Sequence, residues 1–309
     1  MLRKRLLIVL PENLRQHFSP LVDAWSSQNI TPDFFEYRDK KLPAEGQITT
    51  LAAGYDAVML AGNFRFAPRN IVSKPFMLTN EKKIPVSWLP VKNTDTLNKF
   101  INTAALVQNR KKFKIALGLL AQRNRQYLQV ADKMENEFRD LHKDITYFRW
   151  TSELVFPEDM MSGINCGMGA VIYLGHGRPV GWAGYYGIRM KHFHDFFNEP
   201  AGCFLSLCCH TANRRNVALS FSENLVTEGI AASAFGSVNA SFFTDNTRWA
   251  FNICNSLKKG IDTIGELITD AAPMNKSAIS SYRLIGDPFA PIYATASSVK
   301  TAKKIKIYY

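Results

Sequence analysis

Apolar residues along the 309-residue chain fall into two spacings. Short, nearly unbroken runs recur at 6–10 (LLIVL), 56–61 (DAVMLA), 85–89 (PVSWL), 115–120 (IALGLL), 170–174 (AVIYL), 204–208 (FLSLC) and 230–235 (IAASAF). Runs this short and this apolar predict buried strands. Between them lie longer amphipathic stretches. Pro11-Glu12-Asn13 opens a helix that reaches about Ser27, and Asn93-Thr94-Asp95 caps one that reaches about Val107. The stretch 122–143 carries Leu128, Ala131, Met134, Phe138 and Leu141 at spacings of three and four, one face of a long helix. Further helices are predicted at 216–228, 247–257 and 261–271.

Strands alternating with helices predict an α/β fold, a mainly parallel sheet with helices on both faces. The polar, basic segment 108–114 (QNRKKFK) is the candidate linker, dividing residues 1–110 from residues 111–309. In such sheets chemistry gathers beyond the carboxyl ends of strands. The loops after Leu174, Cys208 and Phe235 are therefore the places to search.

The first of these, 173–184, reads YLGHGRPVGWAG. Glycines on both sides of His176 allow a sharp turn and leave the imidazole open to a ligand. A histidine there suits a general base near neutral pH. Read alone, it is equally the cap of a strand end. The second loop, 204–215, reads FLSLCCHTANRR: a buried strand runs into two cysteines and a polar turn. A thiol at a strand end is placed for exposure and activation. Read alone, the pair is more often an inert core feature, because cysteine is commonly buried. Taken together the loops say more, because a right-handed crossover sets successive parallel strands close together. A His and a Cys at neighbouring strand ends form a dyad. Residues in a strand alternate faces, so Cys208 and Cys209 do not both enter one site.

Composition narrows the classes. Hydrophobic residues are 46% and charged residues 21%, which excludes a disordered or fibrous chain. The formal charge of +12 favours acidic partners and keeps a nucleotide- or nucleic-acid-binding α/β domain in view. The basic clusters are short, however, and no GxGxxG or Walker lysine is present, so nucleic acid is not the expected partner. Five cysteines without a CxxC pair suggest neither a zinc ribbon nor a disulfide framework, and fit reduced thiols. His192-Phe193-His194 and Cys208-Cys209-His210 invite a metal reading. Neighbouring side chains diverge, so no metal site is expected. The apolar run at 6–10 is too short for a signal peptide, and no stretch reaches the roughly 18 apolar residues of a membrane span. A cytoplasmic protein without membrane contact is the expectation.

The two loops together resemble the gingipain-type cysteine peptidases of the caspase-like clan. The family's His motif is an apolar strand, GHG and a Trp a few residues on; here it reads VIYLGHGRPVGW, with His176 and Trp182. The clan's Cys motif is an apolar strand, a small residue and the nucleophile. Here it reads FLSLCCHTA, with Cys208 as the small residue, Cys209 as the nucleophile, and Ala212 where Gly is frequent. Stretches 82–102, 230–243 and 281–293, the last with Gly286-Asp287-Pro288, resemble further family segments.

The resemblance implies a caspase-like three-layer α/β/α sandwich with two subdomains, and an endopeptidase needing no cofactor. It implies Cys209 as nucleophile, His176 as base, and the backbone N–H groups of Gly177 and Cys209 as an oxyanion hole. Phe242 and Trp182 would wall the specificity pocket, and Arg178 would favour an acidic substrate side chain. Glu153, Glu158 and Asp159 are the candidates for a group orienting His176, and Asp287 reads as a turn residue. The substrate would be a protein or peptide, with an activating or inhibiting protein partner possible. An intracellular regulatory or processing role is expected. A catalytically silent, partner-binding relative is the alternative.

Overall fold

The computed structural model describes residues 3–38, 42–79, 82–111, 115–139, 145–195, 199–295 and 303. The first half of the chain contains β1 (Lys4–Pro11), α1 (Ser19–Ser27), β2 (Ile30–Tyr37), α2 (Glu45–Leu51), β3 (Ala57–Asn63), β4 (Phe76–Thr79), β5 (Lys82–Val91) and α3 (Thr94–Gln108). Next come β6 (Ile115–Ala121), α4 (Arg125–Arg139), β7 (Ile145–Thr151), α5 (Pro157–Ile164) and β8 (Ala170–Leu174). A small hairpin, β9 (Gly177–Arg178) and β10 (Gly181–Trp182), precedes α6 (Met190–Asp195) and β11 (Ala201–Leu207). The chain continues through α7 (Phe221–Thr227), β12 (Ala231–Ser237), α8 (Phe243–Lys258), α9 (Ile264–Asp270), α10 (Lys276–Ser280) and β13 (Tyr282–Gly286).

One sheet runs in the order β2-β1-β3-β5-β13-β12-β11-β8-β6-β7, with β4 attached to β5. Its pairings are parallel except β12 with β13 and β4 with β5. The strands called from apolar runs all form, and β5 pairs parallel with β13, joining the two halves of the chain in one sheet. Helices cover both faces, which register makes plain. Phe204 on β11 turns toward Trp182 and, beyond it, Phe221 of α7. The next pair, Leu205 with Phe235, has the other face, where Phe235 meets Trp249 of α8 at 5.0 Å.

Helix starts follow local capping. Asn93 accepts from the Thr96 N–H at 2.9 Å, as its sequence position predicts. The helix expected from 216 begins only at Phe221, because Ser220 and Glu223 form a reciprocal capping box. The helix expected over 122–143 begins at Arg125, and Leu141 and Lys143 lie outside the described residues. Its buried face is Tyr127, Val130, Ala131, Met134 and Phe138, one position away from the predicted Leu128.

The segment read as a linker is packed where it is described. Gln108 is buried and donates to Asp287 Oδ2 at 2.7 Å, and Arg110 donates to the Tyr293 carbonyl at 3.3 Å. Residues 112–114 lie outside the described residues. The Gly286-Asp287 turn explains this anchoring. Gly286 has φ +87°, and a Cβ there would sit 2.3 Å from the Ala232 carbonyl oxygen. Asp287, fully buried, accepts from Trp25 Nε1 at 3.2 Å, from Gln108 Nε2, and from the Phe289 N–H at 2.9 Å. It ties α1 and α3 to the end of β13.

Burial pushes the Asp287 carboxyl up to about 6 from 3.8, against the opposing pull of its three donors. The folded protein therefore keeps this proton after the unfolded chain has lost it. This group's contribution to stability falls as pH rises from 3.8 to about 6. Asp287→Ala strands three buried donors, and at about 1–3 kcal/mol each the expected loss is on the order of 4 kcal/mol. Urea denaturation of both proteins checks this. The gap between them should be large and should narrow as pH rises through that window. A constant gap would mean that the carboxyl titrates normally.

Candidate active site

Register sets the two loops side by side. Strands β8 and β11 pair in parallel, with Leu174 opposite Leu207. His176 and Cys209 each stand two residues beyond that last pair, and adjacent strands lie about 4.8 Å apart. The loops then touch through Gly177: a Cβ there would lie 2.3 Å from the Cys209 carbonyl oxygen and 2.6 Å from Cys208 Sγ. Only glycine allows that approach.

The His176 backbone is fixed on both sides. Its N–H donates to Gln122 Oε1 at 2.9 Å, and its carbonyl accepts from the Ala183 N–H at 2.8 Å and the Tyr173 hydroxyl at 3.0 Å. The bond from Ala183 to His176 makes that pair the hydrogen-bonded one of the hairpin. Gly177 and Trp182 are therefore a non-bonded pair, and the Gly177 N–H turns away from β10. The imidazole itself is exposed. Its Nδ1 faces the Tyr127 hydroxyl at 3.5 Å, and the two rings meet edge to face at 5.5 Å.

The cysteines separate as alternation requires. Cys208 is fully buried, and burial pushes its thiol well up, with the neighbouring Cys209 adding to the effect. Cys209 is partly exposed. Its Sγ lies 3.3 Å from the Ser241 N–H, 3.6 Å from Ser241 Oγ and 3.5 Å from the Ser241 carbonyl. The Ser241 N–H and hydroxyl donate to the sulfur, and the thiol in turn donates to the Ser241 carbonyl. His210 follows with φ 61°, turning the chain sharply, and its N–H donates to the Asn239 carbonyl at 3.1 Å. Farther along the loop, Arg214 Nε donates to the buried Glu223 at 2.7 Å, and Glu223 also accepts from Trp88 Nε1 at 3.2 Å. This network fastens the cysteine loop to the start of α7.

The model of peptidase family C25 matches residues 58–293. The chain belongs to peptidase family C25. It is a cysteine endopeptidase with a caspase-like fold. A solved structure described as a protease superposes with a TM-score of 0.70 at 14% identity, over 95% of this chain and 79% of that one. The complex of the pro- and mature domains of RgpB from Porphyromonas gingivalis gives 0.70 at 12% identity, over 94% and 80%. The separase–securin complex of Saccharomyces cerevisiae gives 0.52 at 10% identity, over 74% of this chain and 15% of that one. At these identities the structures speak for the fold. No curated protein sequence matches the chain.

In this C25 chain, Trp182 corrects one expectation. It is 1% exposed, stacks on Tyr173 at 4.6 Å and donates to Ser206 Oγ at 2.9 Å. It holds the GHG loop from beneath and cannot wall an open pocket. Phe242, the N-cap of α8 beside Ser241, is 72% exposed at the surface. Arg178 is exposed on β9. Among the carboxylates offered as partners of His176, Glu153 pairs with Arg123 at 3.4 Å, and Glu158 and Asp159 lie in the first turn of α5. The neighbour that His176 meets is Tyr127, which sequence reasoning missed along with Gln122 and Ser241. His192 Nδ1 receives the Arg189 N–H at 3.0 Å. Among the described residues no three His, Cys, Asp or Glu side chains gather in a metal-holding group.

Proposed function

We propose that Cys209 and His176 form the catalytic dyad of an endopeptidase acting through a thioester acyl-enzyme. The observation that carries this is the pairing of Leu174 with Leu207, which brings the two residues to matching positions just beyond the ends of adjacent strands. His176 takes the thiol proton, and the sulfur attacks the carbonyl carbon of the scissile peptide bond. The oxygen gathers negative charge beside the N–H groups of Gly177 and Cys209. The intermediate collapses to a thioester, and the leaving amine takes the proton from the imidazolium. Water, deprotonated by His176, then hydrolyses the thioester and restores the thiol.

The substrate is a protein or peptide, and a protein partner controls access to the site. RgpB with its pro-domain and separase with securin supply the analogy. An intracellular, cytoplasmic regulatory or processing role fits five free thiols. No helix among the described residues is long and apolar enough to cross a membrane. Arg178 is the residue here that would favour an acidic substrate side chain.

A peptide-library cleavage profile, with Cys209→Ala as control, tests the reading: defined cuts by the wild type and none by the variant. The same assay examines Phe242. Its exposure means that Phe242→Ala should change which peptides are cut while leaving the melting temperature nearly unchanged. An unaltered profile would remove Phe242 from the substrate site.

A further inference from the structure

We propose that Tyr127 is the positioning residue that holds His176 in the tautomer with its proton on Nδ1, leaving Nε2 free to take the Cys209 proton. This deepens the dyad reading above and rests on it.

The geometry is specific. The Tyr127 hydroxyl lies 3.5 Å from Nδ1, and the rings meet at 5.5 Å with an interplanar angle of 88°. Catalytic hydrogen bonds are often this long in a free enzyme and shorter in its substrate complex. Tyr127 is held in turn: it is 8% exposed, near the start of α4, and packs edge to face on Phe243 at 5.6 Å. Gln122 and Tyr173 fix the His176 backbone. The ring therefore has an anchored main chain and a buried partner at one nitrogen.

Chemistry decides the direction of the bond. A phenol can donate or accept. If Tyr127 donated to Nδ1, the proton of the neutral imidazole would sit on Nε2, and no basic nitrogen would remain for the thiol. If Nδ1 donates to the phenol oxygen, Nε2 is the base. After proton transfer both ring nitrogens carry protons, so the phenol can then only accept. Burial pushes the Tyr127 phenol up, and the nearby Cys209 and Cys208 raise it further. Charge forming on the cysteine therefore keeps the tyrosine neutral. The neutral phenol fills the place where a carboxylate was expected.

The test is ¹⁵N NMR of histidine-labelled protein in the Cys209→Ala background, with the His176 signals assigned by their loss in His176→Ala. The expected neutral form carries its proton on Nδ1. Tyr127→Phe keeps the ring and its packing, and should move the proton to Nε2. In the otherwise wild-type enzyme, Tyr127→Phe should lower kcat about tenfold or more with KM little changed, as loss of a hydrogen bond to a charged group implies. A proton on Nε2 in the parent protein would overturn the proposal without any variant. So would a tautomer and kcat that both ignore Tyr127→Phe. Failure of the dyad reading would look different: Cys209→Ala or His176→Ala would still cleave, whatever the tautomer.

Discussion

Cys209→Ala should abolish peptide cleavage while the protein stays folded, and Cys208→Ala should keep most of the activity. The two residues are adjacent, yet their surroundings differ. Cys209 is partly exposed, with the Ser241 N–H and Oγ facing its sulfur. Cys208 is fully buried against Gly177, and its thiol is held in the protonated form by burial. Iodoacetamide should therefore label Cys209 first, since an accessible thiol reacts and a buried structural one is inert. Cys208→Ala removes a group about the size of one methylene from the core, which costs roughly 1 kcal/mol. Mass mapping of the labelled sites, together with the two cleavage rates, checks both halves. Loss of activity in Cys208→Ala with Cys209→Ala active would shift the site by one residue.

His176→Ala should lower kcat/KM by at least two orders of magnitude, because a general base contributes roughly 10²–10⁴-fold. Two alternatives are separated by the same assay. His192 caps the Arg189 N–H near α6, and His194 is exposed on that helix. Alanine at either position should leave the rate within a few-fold. A loss at His192 as large as at His176 would place the base elsewhere. Melting temperatures should distinguish chemistry from folding, since the His176 side chain is exposed and its removal leaves no cavity.

What the sequence made legible follows from burial. Strands β8, β11 and β12 are buried at every position, so their apolar runs are continuous and their ends mark the loops that matter. The edge strand β2 escaped because its residues are mostly half-exposed and Pro32 and Asp33 interrupt the run. Strand β7, at the opposite edge, escaped because residues 146–149 are half-exposed and Thr146 and Arg149 break the apolar run. The two candidate loops were readable because glycines and cysteines at strand ends are visible locally. Tyr127 was not: it reads as one more residue of an amphipathic helix until α4 is laid against the GHG loop. Nor was the role of Trp182, since a tryptophan in a loop motif reads alike whether it supports the loop or lines a pocket. Glu223 was within reach, because Ser220-Phe221-Ser222-Glu223 is a capping-box pattern. Its partners Arg214 and Trp88 are brought to it only by the fold.

The most direct test of the dyad is a mechanism-based trap. A peptidyl acyloxymethyl ketone, its peptide taken from the cleavage profile, should form one covalent adduct, seen by intact mass and mapped by digestion to Cys209. His176→Ala should slow that adduct by at least a hundredfold while leaving the fold intact, in line with loss of a general base. An adduct on Cys208, or an adduct on Cys209 that forms at the same rate without His176, would contradict the account.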